Sequence, residues 1–211
     1  MADRRQTQAP AIAVLATGYL IGLIAYPSLH GPLVTGVPAA RFLMAFTLPT
    51  TALVIHAVFR SLWNHDRVRS GNGAFEATYH AIVLRVLLFV VGLHLLVMFE
   101  LTGTGGALGV AFPSGRAVLV LFGLALIGIG NLLPRTRPNV AVGVRTRRTL
   151  ANAQLWQHVH RAGGYATVGL GVVIALTGLV STNEVAKMVV SGAALVAVMT
   201  VLLSYRRYAR A

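Results

Sequence analysis

The chain has 211 residues, 56% of them hydrophobic and only 11% charged, with a mean hydropathy of +0.73. A soluble domain carries about 25% charged residues, so this composition excludes a soluble globular protein and points to an integral membrane protein. The net charge is +13 and there is no cysteine, which excludes disulfides, thiolate metal sites and cysteine catalysis.

A membrane helix needs about 20 mainly apolar residues, and six runs qualify. The first spans about Pro10 to Leu29, with Tyr26-Pro27 near its end and Gly31-Pro32 after it. It is too long for a signal peptide and shows no small-residue cleavage site, so a retained signal anchor is expected. The second runs from about Pro38 to Leu62, with Pro49 expected to kink it and Trp63 placed for the interface. The stretch Asn64 to Glu76 is polar and glycine-containing, a loop. The third helix, Ala77 to Leu101, carries His80, Arg85, His94 and Glu100. Thr102 to Gly109 then reads as a glycine-rich turn. It lacks the third glycine of a dinucleotide fingerprint and follows no strand, so no nucleotide site is expected there.

The fourth helix runs from about Arg116 to Leu133, the fifth from Gly164 to Ser181, and the sixth from Val185 to Tyr205, followed by the basic tail Arg206 to Arg210. Gly169, Gly171 and Gly178 in the fifth permit close helix contact. Basic residues crowd one side of this topology. Only Arg41, Arg116 and Lys187 fall on the other, so both termini are expected in the cytoplasm. The same charge is expected to attract anionic lipid headgroups, with no direct nucleic-acid contact.

Between helices four and five lies a polar island, Gly128 to Gly164, holding six of the seventeen arginines and two of the seven histidines. Asn131 and Pro134 are expected to end helix four. Arg135 to Arg148 forms a basic loop broken by Pro138 and Gly143. Thr149 is then expected to cap a short interfacial helix to about Ala162. On it Asn152, Trp156 and His160 share a face, while Leu155, Val159 and Ala162 form an adjoining apolar stripe. Trp156 is expected to anchor that helix at the membrane surface, with His160 as its polar contact. Gly163-Gly164 would let the chain turn into helix five. His158 points away from His160, so no metal pair is expected.

The expected fold is therefore all-α, a six-helix transmembrane bundle with a cytoplasmic loop and a short interfacial helix between helices four and five. It divides into residues 1–127, the loop unit 128–164, and residues 165–211.

Polar groups within the apolar runs are a second candidate site. Arg85 lies about 13 Å from the start of its helix, near the midplane. His80 and His94 share a face, and His56 could meet either from helix two. This group, His56, His80, Arg85 and His94, motivates an alternative reading as a small transporter or channel. The scarcity of deep acidic residues weighs against a cation or proton carrier. No His-Glu-x-x-His, paired acids or Ser/His/Asp arrangement is found, so neither an enzyme nor a cofactor or metal site is expected.

The island also carries a resemblance. Gly130-Asn131-x-x-Pro134, Arg137-Pro138-Asn139, Gly143-Val144-Arg145-Thr146, Thr149-Leu150, Trp156 and His160-Arg161-x-Gly163-Gly164 resemble the signature of the SdpI family of small bacterial multi-pass proteins. Where that family usually has proline and tryptophan, this chain has Arg147-Arg148. The resemblance implies a bacterial plasma-membrane protein without catalytic activity. It implies immunity to a secreted membrane-active toxin and the holding of a transcriptional repressor at the membrane. Asn131, Asn139, Arg145, Trp156 and His160 are the signature residues expected to matter most.

Overall fold

The computed structural model describes residues 2–29, 38–70, 76–104, 114–180 and 184–209. Among them the chain is all helical: α1 (Ala2–Ala25), α2 (Pro38–Ser70), α3 (Glu76–Leu101), α4 (Ser114–Gly130), α5 (Arg147–Ala151), α6 (Ala153–Val180) and α7 (Glu184–Ala209). Two single 3₁₀ turns, Tyr26–Ser28 and Leu133–Arg135, follow α1 and α4. Every helix except α5 contains a stretch long and apolar enough to cross a membrane, and the protein is a multi-pass membrane protein.

Helices α1, α2 and α3 pack on one another, α3 packs on α4, α4 on α6, and α6 on α7. The first group encloses an apolar cluster of Ala11, Leu15, Ala52, Trp63, Tyr79, Val83 and Leu87. Trp63 is buried there rather than lying at an interface, because α2 continues to Ser70 and the ring packs on Tyr79 with centroids 4.9 Å apart. Asn64 to Ser70, expected as loop, is the last part of that helix. α2 also runs through Pro49 as one helix. The expected turns at Gly31-Pro32 and Gly105 to Gly109 lie outside the described residues, as do Ser181 and Arg210.

The α4–α6 contact is set by missing side chains. A Cβ on Gly123 would stand 2.5 Å from the Gly171 carbonyl oxygen, and one on Gly164 would stand 2.8 Å from the Gly130 oxygen and from Pro134 Cδ. Gly123 and Gly130, and opposite them Gly164, Gly171 and Gly178, recur every seven residues. That repeat keeps one stripe facing a partner crossed at a shallow angle. Gly169 is not in this stripe; it is exposed, with open space around it. At the far end Arg116 Nε donates to the Gly178 carbonyl at 2.9 Å and Nη2 to Leu179, closing the C-terminus of α6.

The connection between α4 and α6 differs from the expected one. Helix α6 begins at Ala153 and passes through Gly163-Gly164 without a turn, because both glycines are buried against neighbouring elements and Gly164 lets α6 touch Gly130 and Pro134. A short helix does precede it, but this is the five-residue α5. Its cap is Thr146, not Thr149: the Thr146 hydroxyl accepts from Thr149 N–H and the Thr149 hydroxyl accepts from Thr146 N–H. Asn152 ends α5 and caps α6, its Oδ1 accepting from Leu155 N–H at 2.9 Å.

Candidate functional site

The loop from Asn131 to Asn152 folds into a small hydrogen-bonded knot at one end of the bundle, here termed the loop end. Its first anchor is Asn139, 2% exposed. The side-chain oxygen accepts from Ala141 N–H (2.9 Å) and Val142 N–H (2.7 Å), and the amide nitrogen donates to the carbonyls of Arg137 (2.7 Å) and Val142 (3.2 Å). That fills all four hydrogen-bonding positions of the side chain. The turn so formed presses Ala141 and Val142 against the α1–α3 apolar cluster.

The second anchor is the pair Trp156 and His160, one turn apart on α6. Their rings stack with centroids 3.8 Å apart and an interplanar angle of 14°. Trp156 is fully buried and its Nε1 donates to Thr136, at 3.1 Å to the carbonyl and 3.2 Å to the hydroxyl. His160 Nε2 accepts from Val144 N–H at 3.0 Å, which leaves Nδ1 as the donor to the Trp156 carbonyl at 2.8 Å. The two partners assign the neutral Nδ1–H tautomer. Gly143 makes this possible. Its φ is +110°, and a Cβ there would lie 2.0 Å from His160 Nε2.

Trp156 and His160 are therefore not a surface anchor and its polar contact. Both are interior groups, because α6 packs against α4, the Leu133–Arg135 turn and α7. Thr149 is buried as well, its hydroxyl donating to the Val144 carbonyl at 2.8 Å. Pro134 lies over Gly164, and Pro138 is half-buried. The Asn131 side chain faces outward, while its backbone N–H reaches Ile127 O. Arg145 donates to the Val140 carbonyl from an exposed position.

Two contributors, Thr136 and Tyr205, belong to no motif of the sequence. Thr136 accepts from the Trp156 indole, and the backbone N–H of Val144, a signature residue, donates to His160; no local pattern announces either contact. Tyr205 on α7 meets the Thr146 hydroxyl at 3.4 Å. The glycine repeat at Gly123 and Gly130 was readable from its spacing alone.

Charge faces out. Arg135, Arg137, Arg145, Arg147, Arg148 and Arg161 are all exposed, as are Arg206 and Arg207 at the end of α7. His158 turns toward α7 and stacks on Tyr208 with centroids 4.0 Å apart. His80 Nε2 lies 3.6 Å from the Glu76 carboxylate, one turn away on α3.

Residues 135–205 match the model of the SdpI/YfhL protein family. The chain carries an SdpI/YfhL-family segment. Gly130, Asn131 and Pro134 precede the match, and all the other signature residues lie inside it. The SdpI segment comprises the loop, α5, α6 and most of α7, so it contains the whole Asn139, Trp156 and His160 knot. No curated protein and no solved structure matches the chain significantly.

The intramembrane polar residues do not form one site. His80 sits with Glu76 and near Trp63, its ring 5.8 Å from the indole. His56 lies within electrostatic reach of Arg60 and His80. Arg85 turns to the α3–α4 seam, with Gly128 beside it. His94 is fully buried against α1 near Gly22. The Gly18 backbone approaches its ring, yet neither ring nitrogen has a partner of normal geometry among the described residues. A groove of about 650 Å³ lies on α1 and α2, lined by residues including Tyr19, Phe42, Phe46, Thr47 and Thr50.

Proposed function

We propose that this protein protects a bacterial cell against a secreted, membrane-active peptide or protein toxin, and that it holds a cytoplasmic transcriptional regulator at the plasma membrane. The observation that carries this reading is the SdpI/YfhL match over residues 135–205, which falls on the loop knot. The mechanism is binding, without catalysis. Both termini and the loop end face the cytoplasm, in keeping with the excess of arginine there. The knot holds the loop in one shape, and the outward arginines meet anionic headgroups and an acidic surface of the regulator.

The test is survival. A sensitive bacterium expressing the chain is challenged with a killing factor of the kind SdpI proteins resist, beside an Arg145→Ala version at equal membrane level. Protection by the wild type, lost or strongly reduced in the variant, is the expected result. Killing of both despite confirmed insertion refutes the immunity reading.

A second reading, a small transporter or channel, draws on the unpartnered ring nitrogens of buried His94. It requires solute flux in liposomes that His94→Leu abolishes.

A further inference from the structure

Arg85 stands on α3, nine residues after Glu76, about 13 Å along the helix. A cation at that depth is costly unless it is paired or reaches water. Its Nη1 donates to the Ala81 carbonyl at 2.9 Å, so the side chain bends back toward the loop end. That is its one hydrogen bond among the described residues, although a guanidinium has five N–H donors. No carboxylate pairs with it there.

The surroundings form a notch. On the α3–α4 seam Phe89 meets Phe122 with centroids 5.7 Å apart, and Gly92 meets Leu121. Toward the loop end the seam loses bulk at Gly128, where a Cβ would lie 3.0 Å from Arg85 Cδ and 3.1 Å from Nε. The guanidinium fills this space while remaining half-buried. A cation with unfilled donors, bent toward a lipid–water boundary and reachable from the seam, matches an anion offering several oxygens in a fixed geometry.

We propose that Arg85 and the notch at Gly128 bind a phosphate group, that of a phospholipid in the leaflet at the loop end. Arginine suits this role because its planar fork gives a phosphate two parallel hydrogen bonds, which a lysine cannot. The proposal is independent of the immunity reading.

The test uses the full chain purified in mild detergent, with bound phospholipid counted by native mass spectrometry and ³¹P spectra. The wild type is expected to retain phospholipid that R85L loses by about tenfold or more, with R85K between them. G128A, which displaces the side chain without removing its charge, is expected to weaken retention as well. G169A, at a position facing open space away from the seam, leaves it unchanged.

Excess inorganic phosphate separates the two sources of the anion. Lipid that stays bound supports the phospholipid assignment. Displacement of lipid by free phosphate, dependent on Arg85, supports a phosphate site and assigns it to a soluble anion. Should R85L misfold, R85K and G128A still carry the test. Equal retention in the wild type and all three variants overturns the proposal and leaves Arg85 only as a donor to the Ala81 carbonyl.

Discussion

Replacing Gly143 with alanine tests the knot at its tightest point. The backbone there has φ +110°, where an L-residue is strained by about 1–3 kcal/mol. The new methyl group would lie 2.0 Å from His160 Nε2, so the ring must move. Moving it breaks the 3.0 Å bond from Val144 N–H and leaves a buried acceptor, which costs about 1–3 kcal/mol more. The two terms separate in a double-mutant cycle. In a His160→Ala background the methyl meets no ring, so only the backbone term remains. The expected coupling between the two sites is about 1–3 kcal/mol, with Gly143→Ala milder in the His160→Ala protein.

The assay is unfolding by SDS titration in mixed micelles, followed by far-UV circular dichroism. Tryptophan emission serves as a second probe, because Trp156 stacks on His160. Additive costs in the two backgrounds would refute the contact between Gly143 and His160. A neutral Gly143→Ala would refute the positive φ as well.

Two further outcomes follow from the same packing. Gly171→Val should destabilise by about 1–3 kcal/mol in that titration, because its Cβ would stand 2.6 Å from the Gly123 carbonyl oxygen, a backbone atom with little room to yield. Gly169→Val, facing open space, should cost under about 0.5 kcal/mol by the same measurement; equal effects would refute the seven-residue stripe. Trp156→Phe keeps the buried ring but leaves Thr136 without its indole donor. It should cost about 1–3 kcal/mol, and unchanged stability would show that the indole bond does not hold the turn.

The six spans were legible because hydropathy reports the solvent a helix meets, and the bilayer dominates here. What the sequence hid was the meaning of residues with two uses. Gly163-Gly164 can turn a chain or let helices touch, and only the presence of Gly130 and Pro134 opposite selects the second. A tryptophan near a span end usually marks an interface. Trp63 and Trp156 are both interior, because the helices carrying them extend beyond the expected ends. Asn139 was readable as a turn residue, but its four bonds depend on a loop shape that no spacing encodes. The family signature pointed to the right segment while leaving the roles of its residues open.

Those roles now divide by direction. Asn139, Val144, Thr146, Thr149, Trp156 and His160 spend their hydrogen bonds within the segment. Val142 attaches it to the α1–α3 cluster, and Tyr205 ties α7 to the loop. The family match ends at that tyrosine, so the matched stretch is a closed unit of loop, α6 and the α7 contact that holds α5. Its outward groups are different residues, chiefly Arg135, Arg137, Arg147 and Arg148. A substitution inside the knot should therefore act through stability and impair every function of the segment together. A substitution among the outward arginines should alter partner or lipid binding at unchanged stability. Arg147 and Arg148, at the first two positions of α5 and exposed, replace the proline and tryptophan usual in SdpI-like chains. Under the binding function proposed above, they are where a partner or lipid preference is expected to reside.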